Sequence, residues 1–312
     1  MILPMACHLC DSDAFQLVST RDAKSGKPLD VSICRDCGLV QQTPMPTHEE
    51  LEQFYSQDYR SEYKGTLTPR PKHVMRAGEN AVKRLHFLKQ NCSGDLGSLC
   101  DIGAGGGEFL FVCRSNGVAD AVGYEPNVGY GNHARDVLGV DLRIGQLCDI
   151  DQTYDTITMF HVLEHLIHPR QVFGDLWDRM NPGGTLFIEV PWIDSPSISP
   201  ANTFFKAHTL YFSAETLSSA ASAHFERVVV DTSTGNLRML LERRDRPGPI
   251  RLPSATSAAA ARQRMANRGW LRYLTTGNGW SKPLRTAAQI FRERSVSGQD
   301  AVEVLDNVMR AA

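Results

Sequence analysis

The sequence lacks any apolar run of about 18 residues, so no membrane-spanning helix is expected. Its first residues, Met1 to Cys10, lack a basic segment followed by a long apolar one. No secretory leader is read there, and a cytoplasmic location is expected. Neither sign of charge dominates: 33 basic residues face 35 acidic ones, for a net charge of −2. The chain as a whole therefore has no basic footprint, and nucleic acid is not expected as a partner. Internal repeats are absent, and the one low-complexity tract is Ala258–Ala261. What is present is an ordinary globular composition, 42% apolar and 22% charged, which excludes disorder of the whole chain. A length of 312 residues fits one mid-sized α/β domain with additions, or two domains.

Cysteine is the residue with a pattern. Cys7, Cys10, Cys34 and Cys37 form two CxxC pairs. Without a secretory leader, disulfides are a poor reading and the set points to a metal. Two such knuckles give tetrahedral thiolate ligation, which suits a closed, structural Zn2+ site, and Gly38 follows the second pair where a knuckle turn favours glycine. The alternatives are reduced thiols or a redox pair. Cys92, Cys100, Cys113 and Cys148 are scattered, mostly in apolar contexts, and read as inert core thiols.

Four regions are expected: a zinc-binding region at 1–45, a connecting helical segment at 46–95, an α/β domain at 96–243, and a linker with a helical tail at 244–312. In the second, Tyr55, Tyr59 and Tyr63 recur at helical spacing, to line a pocket or to pack one helix face. From about His73 a helical stripe of Val74, Ala77, Ala81, Leu85 and Leu88 runs to Gly94. Strands and helices then alternate: strand 96–102, helix 108–116, strand 119–124, helix 130–138, strands 140–144 and 154–160, helix 169–180, strand 185–190 and helix 213–224. Strands 225–231 and 237–242 close the domain. The alternation implies a mainly parallel sheet covered by helices, and the last two strands an antiparallel edge hairpin. Helices are expected at 258–274, 284–295 and 298–312.

The segment Cys100-Asp101-Ile102-Gly103-Ala104-Gly105-Gly106-Gly107-Glu108 follows a strand and opens a helix. Glycines there let the backbone approach a ligand, and the helix start offers free N–H groups. Glu125, at the end of the next strand, can accept both hydroxyls of a ribose. A carboxylate at Asp101 would repel a pyrophosphate but suits a ligand carrying an ammonium and a sulfonium.

With DIGAGGGEF, GYEPN, YDTITMFHVLEHLIHP and MNPGGTLFIEVP in this order, the chain resembles the class I S-adenosylmethionine-dependent methyltransferases. The N-terminal CxxC, ICRDCGLV and LEQFYSQDY resemble a zinc-binding region attached to a subgroup that includes enzymes of unusual-sugar and surface-polysaccharide biosynthesis. The resemblance implies a Rossmann-like seven-stranded α/β sheet with S-adenosyl-L-methionine as cofactor. It places Gly103, Gly105 and Gly107 around the methionine part, Asp101 toward its amino group and Glu125 on the ribose. Gln146 and Leu147 would lie near the adenine. It further implies methyl transfer to a small-molecule acceptor, with O-methylation of a sugar or related intermediate as the expected reaction. The tail after Glu242 carries no strand or glycine-loop pattern, which disfavours C-methylation of a sugar nucleotide. A noncatalytic zinc-ribbon adaptor that binds nucleosides is the alternative outside enzymology, and an RNA or protein methyltransferase ranks lower on charge. The sequence fixes no oligomeric state.

For the acceptor's proton, His161, Glu164 and His165 follow the fourth strand of the domain, and His208 follows a long irregular segment. Imidazole titrates near working pH and fits a general base, in the order His165, His208, His161. Two other readings stand beside it. These groups could hold the strand-to-helix corner together, or ligate a divalent metal, which His161 in place of a carboxylate disfavours. Tyr211 is a further polar group in the same stretch.

Overall fold

The computed structural model describes residues 6–53, 68–92 and 94–312. In chain order the strands are β1 (Phe15–Arg21), β2 (Pro28–Cys34), β3 (Val40–Gln42), β4 (Leu99–Ile102), β5 (Ala121–Glu125), β6 (Asp141–Ile144), β7 (Tyr154–Phe160), β8 (Met180–Pro191), β9 (Leu210–Tyr211), β10 (Phe225–Asp231) and β11 (Asn236–Arg243). The helices are α1 (His48–Gln53), α2 (Pro71–Asn91), α3 (Glu108–Ser115), α4 (Val128–Asp136), α5 (Pro169–Asp178), α6 (Ala214–Ala221), α7 (Ala255–Ala266), α8 (Trp270–Leu274), α9 (Lys282–Ser295) and α10 (Ala301–Arg310). Tyr55, Tyr59 and Tyr63 lie outside the described residues.

The fold is the Rossmann-like α/β fold expected above. Seven strands form a mixed sheet in the order β10-β11-β8-β7-β4-β5-β6. β4 pairs in parallel with both β5 and β7, and β5 with β6. β10 and β11 pair antiparallel and close one edge as a hairpin. β4 and β7 are buried almost throughout, as strands covered on both faces must be, which is why they read as continuous apolar runs.

Contacts divide the chain into two compact units, neither a single stretch. One comprises Met1–Glu52, His161–Trp177 and Ile188–Lys282; the other comprises Gln53–Phe160, Asp178–Phe187 and Pro283–Ala312. Strand pairing explains part of this division. In the first unit β1, β2, β3 and β9 form a four-stranded sheet, so the cysteine-bearing strands pair with a strand from residues 210–211. Val31, Ile33, Val40, Ile193, Phe204, Tyr211 and Ala261 share one core there. The linker after β11 is also pinned: Gly248 N donates to Ala223 O at 2.7 Å, and Ser219 Oγ to Arg251 O at 2.8 Å.

In the second unit α2 begins at Pro71, which supplies a preset φ at the first turn, and buries Val74, Ala81, Leu85 and Leu88. Each buried leucine or valine contributes about 1.5–3 kcal/mol over exposure. The tail helix α10 lies against α2 at Gly78, where an added Cβ would come within 2.6 Å of Leu305 Cδ2. The helix expected at 258–274 is broken into α7 and α8 at Asn267, Arg268 and Gly269, since glycine favours the start of a new helix over continuation.

Candidate functional site

In the second unit the chain turns sharply after β4. Gly103 and Ala104 N–H donate to Tyr124 O at 2.8 and 3.1 Å, holding the loop against the end of β5. Glu125 then bridges the loop: one carboxylate oxygen accepts from Gly105 N–H and the other from Asn127 N–H, both at 2.9 Å. Gly105 and Gly107 adopt φ of +57° and +81°. Their reasons differ. A Cβ on Gly107 would come within 2.8 Å of Ala134, so glycine there permits close packing, whereas a Cβ on Gly105 would meet nothing within 4 Å. Gly105 thus faces open space beside a carboxylate, where a ligand can reach the backbone.

Asp101 is buried, and its Oδ1 accepts from Thr158 Oγ1 at 2.7 Å. Burial pushes its carboxyl up to about 7, against the opposing pull of the Thr158 hydroxyl and the Arg84 charge. A cationic amino group nearby would favour its ionised form. Gly145 N–H donates to Glu125 O at 3.2 Å, which brings the next turn to the same edge. Gln146 is exposed there and Leu147 half-buried. The seven expected cofactor residues, Asp101, Gly103, Gly105, Gly107, Glu125, Gln146 and Leu147, therefore gather at the carboxyl ends of β4, β5 and β6. Paired carboxylates, an open glycine and the start of α3 fit an adenosyl sulfonium ligand with hydroxyls and an ammonium.

In the first unit Cys7, Cys10, Cys34 and Cys37 converge, with ligand atoms all within 4.8 Å of one another. Cys7 and Cys37 sulfurs are 3.5 Å apart, and Cys10 and Cys34 sulfurs 3.6 Å, too far for disulfides. Zn–S bonds of about 2.3 Å in a tetrahedron put sulfurs roughly 3.8 Å apart, so the set fits zinc. Within the cluster the Cys37 and Cys7 thiols hold Cys34 below the ordinary thiol range, while burial and the neighbouring sulfurs push Cys7, Cys10 and Cys37 above it. The two knuckles are alike: Asp11 N–H donates to Cys7 O, Gly38 N–H donates to Cys34 O, and both residues have left-handed φ, +62° and +80°. Of the other cysteines, Cys100 and Cys113 are buried and Cys92 is half-buried, but Cys148 is exposed, so it is not a core thiol.

Also in the first unit, His161 has a left-handed φ of +57°, uncommon for a residue with a Cβ. That backbone aims its ring between two acids: Nδ1 lies 3.3 Å from Glu164 Oε1 and Nε2 lies 3.2 Å from Glu189 Oε1. Burial opposes a charge on the ring, but the hydrogen bonds to Glu164 and Glu189 outweigh it and push His161 up to about 9. At neutral pH it is an imidazolium, the protonation state of an acid rather than a base. Glu189 also accepts from Arg238 Nε at 2.7 Å and from Asn236 Nδ2 at 3.2 Å. Glu189, Asn236 and Arg238 were not singled out above. The available signal was a lone acid in Phe187-Ile188-Glu189-Val190 and a lone base in Leu237-Arg238-Met239, since opposite charges in buried strands must pair.

His165 and His208 meet edge to face, ring centroids 5.0 Å apart. Thr209 brings them together: its N–H and hydroxyl donate to Glu164 O at 2.8 and 3.1 Å. Burial and the neighbouring His165 push His208 down to about 4, so it is neutral at pH 7. Tyr211 is committed to the loop: its oxygen accepts from Phe205 N–H at 2.9 Å and its hydroxyl donates to Phe205 O at 3.1 Å.

Residues 73–228 match the family model described as "Methyltransferase domain", half of the chain. Two curated relatives carry the name tRNA U34 carboxymethyltransferase. That from Campylobacter curvus is 26% identical over 144 residues, 41% of this chain and 47% of the relative. That from Desulfotalea psychrophila is 25% identical over 130 residues, 36% and 39% of the two chains. The chain thus spans less than half the length of these relatives. A solved complex of the Haloferax volcanii Trm112 methyltransferase activator with a methyltransferase aligns over 64% of this chain and 99% of that chain, at 13% identity and a TM-score of 0.49. Two expectations change. Relatives named for a tRNA nucleotide overturn the sugar or other small-molecule acceptor, and with it the expected absence of nucleic acid. Net charge is a weak guide to such a partner, because proteins that bind RNA do so by local contacts to phosphates and stacked bases, which a whole-chain sum of −2 does not register. The sheet places β10 and β11 at an edge, and among the described residues no helix is long and apolar enough to cross a membrane.

Proposed function

The chain belongs to the methyltransferase-domain family and is an S-adenosylmethionine-dependent enzyme; from that premise we propose that it transfers the methyl group to a nucleobase of tRNA, with a structural zinc in its four-cysteine cluster. The observation that carries the acceptor class is the tRNA in the shared name of the curated relatives, which are themselves named for carboxymethyl rather than methyl transfer. Exposed Trp270 and Trp280 support it, as surfaces on which unpaired bases can stack.

The bound cofactor supplies a methyl carbon already activated by the sulfonium, so the chain mainly has to bind and orient. Glu125 accepts the ribose hydroxyls while its hydrogen bond to Gly105 keeps the loop in place. Asp101, ionised by the approaching ammonium, fixes the methionine end. Gln146 and Leu147 flank the adenine. Glu164, His165 and His208 act on the acceptor, while protonated His161 braces Glu164.

The test is transfer from methyl-tritiated S-adenosylmethionine to bulk tRNA. The expected result is acid-precipitable label that ribonuclease releases. Absence of label in RNA, with turnover on a small molecule instead, would overturn the assignment.

A further inference from the structure

The tail helix α9 turns its faces the opposite way from a helix that only closes a core. From Pro283 onward it belongs to the second unit, as does α2. Gln289 and Glu293 are half-buried, and Val296, just past the helix end, is buried. Spaced i, i+4 and i+7, these three mark the side turned inward, and two of them are polar. The Glu293 side chain is only 10% exposed and accepts from Arg76 Nε of α2 at 2.7 Å, while Arg292 Nη1 donates to Glu79 Oε1 of α2 at 2.8 Å. Ion pairs thus fasten α9 to α2 by its polar side.

The apolar side faces water. Leu284, Ala287 and Phe291 fall at i, i+3 and i+7, one stripe of a helix, with Ile290 beside it, and all four are exposed. Leu284 is 71% exposed and Phe291 77%. Large apolar side chains gathered on one exposed face mark a surface that meets another body. Its rim is basic. Lys282 and Arg285 stand in the first turn and Arg292 and Arg294 in the last, and the one acid of the helix, Glu293, is bound to Arg76. Charge selects among the occupants. A second copy would bring basic rim against basic rim. RNA would match the charge, but Leu284 and Ile290 carry no ring on which a base can stack. A stable protein interface takes about 20–30 residues a side, far more than this stripe offers. An anionic bilayer needs only a few apolar side chains at the headgroup level, with basic residues around them.

We propose that α9 is a reversible docking surface for an anionic lipid bilayer. Leu284, Ile290 and Phe291 enter the boundary between headgroups and acyl chains, and Lys282 and Arg294 rest against lipid phosphates. The helix lies in the plane of the surface and does not cross it, in keeping with the absence, among the described residues, of a helix long and apolar enough to span a membrane. None of these residues belongs to the cofactor loop or to the histidine set, so the proposal stands whether or not the acceptor is RNA.

Co-sedimentation of the full chain with lipid vesicles tests this. Vesicles of phosphatidylcholine mixed with phosphatidylglycerol should pellet the protein, less so as salt is raised. Vesicles of phosphatidylcholine alone should leave most of it in solution. Leu284→Ser combined with Phe291→Ser should weaken binding to the mixed vesicles about tenfold or more, and Arg294→Gln should weaken it about fivefold. All three side chains are exposed, so Tm and S-adenosylhomocysteine affinity should stay at wild-type values, which reports that the fold is kept. Protein left in solution by the mixed vesicles, pelleting that the double serine variant leaves unchanged, or equal pelleting on both lipids would overturn the proposal. So would a dimer in analytical ultracentrifugation that the double serine variant dissociates, because the occupant of the face would then be a second copy.

Discussion

Glu125 and Asp101 are two carboxylates at the carboxyl ends of neighbouring strands, β5 and β4, with opposite environments. Glu125 has each oxygen on a backbone N–H, whereas Asp101 is enclosed and pushed up to about 7. Replacing Glu125 by Ala should weaken S-adenosylhomocysteine by roughly 1.5–3 kcal/mol, the size of lost hydrogen bonds to a charge. Calorimetry showing unchanged affinity would remove Glu125 from the ribose. Asp101 makes a prediction in pH. Its folded value lies above the ordinary carboxyl value of 3.8, so folding favours the protonated form. Its contribution is fully present below about pH 4 and is lost as pH rises through about 7. In cofactor-free protein, Asp101→Asn should therefore gain thermal stability relative to wild type between pH 5 and pH 8, while losing cofactor affinity. A difference in Tm that stays flat across that range would contradict the buried, raised carboxyl. Both residues were legible because a local motif carries them. Glu189 and Arg238 were not: they stand 49 positions apart, on strands that only the folded sheet makes neighbours.

Among elements, those with a long periodic or continuous pattern were read closely. β7 and β10 have the expected bounds, and the buried stripe of α2 includes Val74, Ala81, Leu85 and Leu88. β3 and β9 were missed because three and two residues carry no period. What covers α2 was also beyond sequence: the stripe shows a face, not the tail helix that packs on it. Gly78→Leu should therefore destabilise by about 1–3 kcal/mol, through overpacking against Leu305 and Val308 on α10. Urea unfolding measures this, and a neutral substitution would mean that the contact is loose. At the knuckles, Cys34→Ser should release zinc and loosen β1 and β2, since so short a region forms little core without a staple. Elemental analysis checks the loss; wild-type protein prepared without zinc yet fully folded would refute a structural metal.

At the scale of the molecule, composition pointed to a folded chain but is a poor guide to the acceptor proposed here. Net charge averages over the whole surface, of which an RNA acceptor would touch only a part. Two arginines of the tail are committed to the protein itself. Arg268 Nη2 donates to Thr203 Oγ1 at 2.9 Å, and Arg264 Nε lies 3.0 Å from Asp194 Oδ2. Affinity for RNA would then come from a few phosphate contacts and stacking, with a correspondingly shallow dependence on salt. The central claim is methyl transfer to a tRNA base, and the most direct measurement is nucleoside analysis of tRNA incubated with the protein and labelled S-adenosylmethionine. The account predicts label in one modified nucleoside, with the Glu125→Ala variant greatly slowed. No labelled nucleoside from active, cofactor-binding protein would contradict it.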